Sequence, residues 1–257
     1  MRSVLEVAAP REDGIPGIGT LNEGGLHAQL KDWYRRPDDR IEAVVDGFVV
    51  DLVRGDLLVE IQTGSFAPLR RKLELLLPRH RLRLVAPVPL VRRIIRLSDE
   101  GELLSARRSP RRGRLEDVFS RLVSIPSLLA CPHFELEVLL IHLDEHRVYR
   151  PGKAFRRHGW VVVGRRLVSV EQRVRIVCPD DAARLLPPGL PELFDTAQLA
   201  EAAAIERRLA QQMTYCLRSV GVLHPAGKRG NTIVHRRAGR KARPQRTPTP
   251  STAIARG

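Results

Sequence analysis

The chain has 257 residues with 43% hydrophobic and 4% aromatic side chains, and it carries 44 Lys and Arg against 29 Asp and Glu. The net charge of +15 favours a polyanionic partner, with nucleic acid first and an anionic membrane surface second. The few aromatic residues argue against a base-stacking platform for single strands, and the lack of a long apolar run argues against a membrane-spanning helix. No signal peptide is recognisable, so a cytoplasmic protein is expected.

The three cysteines, Cys131, Cys178 and Cys216, lie far apart in the sequence and form no CxxC or Cys/His cluster. This spacing supports neither a disulfide framework nor a zinc site. We therefore expect buried thiols in a reducing compartment.

The first predicted helix covers residues 22–34 and follows a flexible lead-in, residues 1–20, that is interrupted by proline and glycine. Leu26, Leu30 and Trp33 recur at helical spacing, which predicts one apolar stripe. Glu23 lies three residues before Leu26, so its side chain is expected on the buried face rather than in water.

Two apolar strands are predicted within residues 41–63, joined at Arg54-Gly55-Asp56. If the strands pair across Gly55, Asp51 of the first strand lies beside Glu60 of the second. Two facing carboxylates among apolar residues repel each other, and a bound divalent cation would relieve this repulsion. The alternative is that both acids are solvated residues at strand ends. Asp46 competes with Asp51 for the same role, but its position before Gly47 suits a turn better.

A second helix is predicted for residues 66–77, with Leu69, Leu73 and Leu76 facing inward. Pro78 ends this helix, and two further strands are predicted at residues 81–88 and 91–97. Together these elements predict an α/β sheet of four or five strands.

This order of elements, with acids on the first helix and on two adjacent strands, resembles the PD-(D/E)xK nuclease superfamily with its restriction-endonuclease-like fold. The resemblance covers residues 21–98 and implies a nuclease-like domain at residues 21–104. It also implies that Glu23, Asp51 and Glu60 bind Mg²⁺ or Mn²⁺ for phosphodiester hydrolysis. The family usually carries Lys two residues after the last acid, where this chain has Gln62, and Lys72 on the next helix is the candidate for a displaced Lys.

The middle of the chain is less informative. Residues 105–114 are basic and contain proline and glycine, which is typical of a linker or of a loop that lies on phosphates. Residues 115–186 form a predicted α+β region with a helix at 115–129, a strand at 134–143 and a hairpin around Gly164-Arg165-Arg166. The four histidines in this region match no metal motif.

Residues 190–237 resemble a winged helix-turn-helix. Asp195 is the predicted N-cap of its first helix, and a two-stranded wing carries Lys228 and Arg229 at its tip. The resemblance implies that the second helix enters the DNA major groove and contacts DNA through four residues near its N-terminus, namely Arg207, Arg208, Gln211 and Gln212. The alternative is a module that serves protein packing.

The sequence therefore predicts an α/β protein with a mixed restriction-endonuclease-like sheet, an α+β middle region, a winged helix and a disordered basic tail at residues 238–257. One interpretation is a metal-dependent DNA endonuclease. The other is a catalytically inactive DNA-binding regulator or structural protein, which the presence of Gln62 favours. An RNA partner is a weaker third interpretation, and the oligomeric state stays open, with a homodimer as one option.

The basic tail should bind phosphates in a way that depends on salt. We expect deletion of residues 238–257 to make the dependence of log K for DNA binding on log salt shallower, by about 0.9 for every phosphate that the tail neutralises. Fluorescence anisotropy across a salt series measures this slope. An unchanged slope would show that the tail does not bind phosphates.

Overall fold

The computed structural model describes residues 24–238, and a single seven-stranded mixed sheet dominates it. The strands of this sheet are β1 (Arg40–Val45), β2 (Phe48–Arg54), β3 (Leu57–Ile61), β4 (Arg81–Leu97), β5 (Leu103–Arg108), β6 (Phe134–Tyr149) and β7 (Trp160–Ile176). Their spatial order is β1-β2-β3-β4-β6-β7, and β5 pairs with the second half of β4. The predicted mixed α/β class is confirmed, although the sheet is larger than the four or five strands expected.

Several short helices accompany the sheet. The α-helices are α1 (Gly24–Tyr34), α2 (Arg70–Leu76), α3 (Phe119–Leu122), α4 (Pro179–Ala183), α5 (Thr196–Ala203) and α6 (Arg207–Ser219), and 3-10 turns cover Ala67–Leu69, Leu115–Val118, Pro126–Ala130 and Phe155–Arg157. Within residues 24–238, no helix is long and apolar enough to cross a membrane. The predicted lead-in, Glu23 and residues 239–257 of the predicted tail lie outside the described residues.

The first three strands form an antiparallel meander rather than the single hairpin predicted for residues 41–63. Asp46 and Gly47 both adopt positive φ angles, 48° and 81°, and so make a tight turn that divides the first apolar run into β1 and β2. Asp46 therefore belongs to a turn, as expected. The second turn uses Gly55 at a φ of 56°, and the pairing across it is confirmed.

Parallel pairing begins at β4, which lies beside β3 after the connection through α2 and beside β6 on its other edge. The two strands predicted at 81–88 and 91–97 form one continuous strand with a register shift between Pro89 and Val91. The predicted hairpin around Gly164-Arg165-Arg166 is also wrong. Gly164 and Arg165 pair with residues of β6, so these positions continue β7 instead of turning.

The proposed boundary between residues 104 and 115 does not divide the structure. Residues 105–108 belong to β5, which pairs with β4, so they are not part of a linker. Moreover, β4 of the first predicted domain pairs with β6 of the second along almost its whole length. The predicted domains 21–104 and 115–186 thus share one sheet, because the free edge of β4 is completed by β6.

The C-terminal segment forms a second, smaller sheet from β8 (Leu193–Phe194), β9 (Leu223–Arg229) and β10 (Thr232–Arg237), in the order β8-β10-β9. Asp195 caps α5 as predicted, since its carboxylate accepts hydrogen bonds from the backbone N–H groups of Ala197 (2.8 Å) and Gln198 (2.9 Å). Gly221 follows α6 at a φ of 74°, a conformation that glycine adopts without strain.

Two apolar cores cover the two faces of the large sheet. On one face, Leu84 and Leu136 pack with Phe66, Phe119 and residues of α6, so the C-terminal segment shares its core with the sheet. The other face carries α1, whose Leu26 and Leu30 are buried as predicted. Trp33 does not complete that stripe, because it is 43% exposed and Tyr34 is buried in its place.

Tyr34 is buried because its hydroxyl belongs to a network of charged side chains under α1. Arg83 donates two hydrogen bonds to Glu135, at 2.9 and 2.7 Å, and a third to the Tyr34 hydroxyl at 3.0 Å. Tyr34 in turn donates to Glu137, which also accepts from Arg173 at 2.7 Å. Glu135 therefore depends mainly on Arg83 for compensation of its charge, whereas Glu137 is compensated chiefly by Arg173.

Removal of Arg83 should be costly for folding. We expect Arg83→Ala to lower the free energy of unfolding by about 3–5 kcal/mol, because it removes the buried, two-pronged partner of Glu135 and leaves that carboxylate only its longer contact with Arg81. The neighbouring Arg81, whose side chain is 45% exposed and also contacts Glu135, is the matched control. Arg81→Ala should cost less than about 1 kcal/mol. Urea denaturation measures both changes, and equal losses would contradict this account of the network.

Candidate functional site

Asp51 and Glu60 lie side by side on adjacent strands, as the predicted pairing requires. The backbone N–H of Asp51 donates to Glu60 Oε1 at 3.2 Å, and the backbone N–H of Ile61 donates to Asp51 Oδ2 at 2.8 Å. Both side chains are largely withdrawn from water, with exposed fractions of 15% for Asp51 and 7% for Glu60. The β2–β3 hairpin alone therefore brings the two acids together.

Lys72 of α2 reaches the same point from across the β3–β4 connection. Its ammonium group contacts Glu60 Oε1 and donates a hydrogen bond to the backbone oxygen of Val49. Gln62 does not reach the acids, because its side-chain amide donates to the backbone oxygen of Ser65 at 2.7 Å. The positive charge at this site thus comes from Lys72, and Gln62 instead holds the loop that leads to α2.

His27 is a site residue that the sequence analysis missed. It lies on α1, and its Nε2 is 3.1 Å from Asp51 Oδ1, although the two groups are not aligned for a hydrogen bond. The spacing of His27 and Lys31, four residues apart on a predicted helix, could have indicated a polar stripe beside the apolar one. Glu23, the third predicted metal ligand, lies outside the described residues, so its role stays a prediction.

Arg121 of α3 is a second residue that sequence reasoning did not identify. It donates to the backbone oxygens of Pro87 (2.9 Å) and Gln62 (3.3 Å), and its guanidinium lies over the ring of Phe66. Burial lowers the pKa of Arg121 to about 10. This residue ties the end of β3 to β4 and so fixes the backbone next to the acids.

The environments of the two acids shift their pKa values in opposite directions. Burial raises the pKa of Glu60, and the Lys72 charge offsets this only in part, so the net shift is upward. Burial also acts to raise the pKa of Asp51, but the adjacent His27 and the N–H of Ile61 outweigh it, and the net shift is downward. Asp51 is therefore the more strongly ionised member of the pair.

The oxygen donors at this site fit a hydrated Mg²⁺ ion in kind, since hard cations take carboxylate oxygens and keep several waters. Asp51 and Glu60 would supply these oxygens, and no hydrogen bond from the described residues reaches Glu60 Oε2. A complete protein cage is not present in the part of the chain that the structure describes, where no three His, Cys, Asp or Glu side chains are grouped around a common point.

The predicted DNA-binding residues occupy a different surface. Arg207, Arg208 and Gln211 are exposed on α6, whereas Gln212 is partly buried. Lys228 and Arg229 are exposed on β9, and Arg229 lies 3.9 Å from Asp195. The opposite side of α6 packs on α3, where Cys216 is fully buried against Phe119. Burial raises the pKa of the Cys216 thiol to about 12, as expected for a buried thiol. The same expectation is wrong for Cys131 and Cys178, which are only partly buried.

The family described as "Domain of unknown function (DUF8091)" matches residues 24–177. The chain belongs to the DUF8091 family. The matched range begins with α1 and ends just after β7, so in this chain the DUF8091 domain is the seven-stranded sheet with the Asp51–Glu60 pair.

A second comparison extends beyond that domain. An "Uncharacterized protein" from Treponema pallidum (strain Nichols) is 31% identical over 223 residues, which cover 86% of this chain and 87% of that protein. A match of this length cannot fit within residues 24–177, so the similarity includes part of the remaining chain. No solved structure matches.

The contact between His27 and Asp51 should be visible in the ionisation of the histidine. Because the Asp51 carboxylate raises the pKa of His27 above 6.5, we expect Asp51→Asn to lower it, as burial then dominates. NMR titration of the metal-free protein measures both values. Because the pKa of His27 is higher in the folded than in the unfolded protein, the contact with Asp51 stabilises the fold fully below about pH 6.5. This stabilisation is lost as the pH rises through the folded-state pKa of His27. A histidine that titrates identically in both proteins would contradict this contact.

Proposed function

We propose that this DUF8091 protein is a metal-dependent deoxyribonuclease of the PD-(D/E)xK type that hydrolyses phosphodiester bonds in DNA. The observation that carries the proposal is the meeting of Asp51, Glu60 and Lys72 at one point, although they come from two strands and a helix. A structural role alone does not require two adjacent acids, one of them paired with a lysine, in a largely buried position.

The topology around these residues also supports the proposal. A helix, two adjacent antiparallel strands with the acids and a further helix follow one another, which is the order that carries the resemblance. The structure adds β1 before these two strands and places β4 parallel to β3. Asp51 lies on the middle strand of the meander and Glu60 on its last strand. Lys72 lies on the connecting helix, the position that the resemblance implies for a displaced Lys.

Each residue would have a distinct task. Asp51 and Glu60 would hold Mg²⁺ or Mn²⁺, which when bound supplies Lewis-acid catalysis and a more acidic water. Lys72 would place its positive charge beside the scissile phosphate and offset the negative charge that develops there. His27 would keep Asp51 oriented and ionised, because its contact helps to lower the pKa of that carboxyl.

The C-terminal segment would bind DNA as a winged helix. This part of the proposal is supported by the order α4-β8-α5-α6-β9-β10, by the β8-β10-β9 sheet and by the exposed Arg207, Arg208 and Gln211. Because α6 shares its core with α3, the DNA-binding surface would be held in a fixed orientation to the acids. The cytoplasmic location and the homodimer stay predictions.

The second candidate function is a catalytically inactive DNA-binding regulator or structural protein. The observation that favours it is the contact of Lys72 with Glu60, which already compensates the charge of one acid without a metal ion. Gln62, in the position where the family usually has Lys, is bound to its own loop.

Cleavage assays separate the two functions. We expect the protein to nick or cut DNA with Mg²⁺ or Mn²⁺ but not with EDTA, and we expect Asp51→Asn and Glu60→Gln to abolish this activity. Lys72→Met should reduce the rate by roughly 10²–10³-fold, since it removes one preorganised charge. Asp56→Asn, at the exposed β2–β3 turn, is the matched control and should retain full activity.

The assay should include supercoiled, linear and branched DNA, because the sequence does not specify the target. Circular dichroism confirms that each variant is folded. If the folded protein cleaves none of these DNA forms with either metal, the nuclease proposal fails and DNA binding without catalysis takes its place.

A further inference from the structure

The loop between β6 and β7, residues 150–159, carries the most exposed large apolar side chain that the structure describes. Phe155 is 96% exposed, whereas the other large apolar side chains at the surface of residues 24–238 are at most 70% exposed. Its ring is thus not part of any core and adds almost nothing to the stability of the fold through burial. The ring is therefore available to a partner.

The backbone of this loop holds Phe155 in a defined position. The Arg150 N–H donates to the Gly159 oxygen at 2.7 Å and closes the loop at its base, and the His158 N–H donates to the Phe155 oxygen at 3.1 Å within the 3-10 turn. Ala154 and His158, on either side of this turn, adopt positive φ angles of 49° and 48°, which residues with a side chain rarely adopt. Backbone strain of this kind is concentrated at functional sites.

Aromatic contacts support the base of the loop. Tyr149 and Trp160 form the last pair between β6 and β7, and their rings meet edge to face with centroids 5.7 Å apart. The guanidinium of Arg96 lies over the Trp160 ring, 4.4 Å from its centre. Gly159 is needed beside them, because a Cβ atom at this position would lie 2.4 Å from the Tyr149 ring. A loop supported in this way loses less conformational entropy when its tip enters a partner.

Positive charge surrounds the exposed ring. Lys153, Arg156 and Arg157 are exposed, and residues 150–159 contain no Asp or Glu. None of these three side chains pairs with an acid among residues 24–238. Duplex DNA matches this combination, because the minor groove attracts Lys and Arg while its base steps accept apolar wedge residues such as Phe.

An anionic membrane is the other partner that a basic loop with an apolar tip could contact. The tip offers one apolar side chain, whereas interfacial membrane anchors bury a whole apolar face. The adjacent β4–β5 turn is acidic, with exposed Asp99, Glu100 and Glu102, and Asp99 pairs with Arg150 of the loop. An anionic bilayer that reached Phe155 would also approach these carboxylates, whereas a single loop can enter a groove. The observations therefore favour duplex DNA.

We propose that residues 150–159 are a wedge loop, which inserts Phe155 between base pairs from the minor groove of duplex DNA and kinks the duplex. Lys153, Arg156 and Arg157 would contact phosphates beside the kink. This inference rests on DNA as the partner in the proposed function, but it does not depend on cleavage.

DNA bending in EDTA tests the wedge without any requirement for cleavage. Energy transfer between dyes at the two ends of a duplex of about 20 base pairs reports its end-to-end distance, and a free duplex of this length is nearly straight. The protein should shorten this distance, as a kink of about 20–90° does. Phe155→Ala should lose the shortening, whereas Phe155→Leu, which keeps an apolar wedge, should retain it in part. Val168→Ala, at another exposed apolar position of β7, is the matched control and should bend DNA like the unchanged protein.

A second measurement tests the basic flanks. The triple variant Lys153→Gln/Arg156→Gln/Arg157→Gln should make the slope of log K against log salt shallower by about 2.7, since each neutralised phosphate contributes about 0.9. Phe155→Ala changes no charge and should leave this slope unaltered. All four side chains are exposed, so the variants should remain folded, which circular dichroism checks.

A duplex that stays straight, a duplex bent equally by the unchanged protein and by Phe155→Ala, or an unaltered slope in the folded triple variant overturns the proposal. Loss of binding to phosphatidylserine vesicles in Phe155→Ala, with DNA bending retained, overturns it in favour of a membrane partner. Bending that requires Phe155, without cleavage of any DNA form, supports the wedge loop and removes the nuclease function. Cleavage together with bending that does not require Phe155 has the opposite meaning.

Discussion

Two carboxylates on adjacent strands, Asp51 and Glu60, remain together in a largely buried position because a cationic or ionisable group contacts each of them. Like charges directly opposite each other in a sheet destabilise it, by a few tenths to about 1 kcal/mol in exposed positions and by more where water is excluded. His27 comes from α1 and Lys72 from α2, so the two helices are both attached to this pair. The packing of the two helices on the sheet therefore supplies the groups that compensate the charges of the acids, and these contacts in turn help to hold the helices in place.

The same principle recurs along β6. Glu135, Glu137, Asp144 and Glu145 are all buried, and arginines from neighbouring strands compensate each of them. In a chain with a large excess of basic residues, each buried acid orders several guanidinium groups at defined positions. The sheet thereby fixes the positions of many arginines. The long strands of the sheet thus determine the charge distribution of the protein as well as supporting the site.

Local sequence patterns predicted the parts of the structure that depend on neighbours in the chain. The pairing of Asp51 with Glu60 followed from a short turn at Gly55, and the capping of α5 followed from Asp195. Both depend on interactions across only a few residues, where side-chain chemistry and backbone geometry are closely linked. Lys72 was identified because it lies on a helix directly after the second acid.

The errors have a different origin, since they concern contacts between distant parts of the chain. Residues 105–108 read as a linker because their pairing with β4 is not encoded in their own composition. Gly164 suggested a turn, but pairing with His146 keeps it extended. The proximity of His27 to Asp51, and the exchange of Trp33 for Tyr34 in the core, likewise depend on how α1 packs on the sheet.

The shared core of α3 and α6 has a consequence for other chains that carry the DUF8091 domain. The matched range ends at residue 177, yet Phe119 and Leu122 within it are shielded by Met213 and Leu217, which lie outside it. A chain that ended after β7 would expose an apolar surface patch to water, and such patches promote aggregation. Any relative that lacks the C-terminal helices must therefore cover the apolar surface around Phe119 and Leu122 with a different segment of its own chain or with a separate subunit.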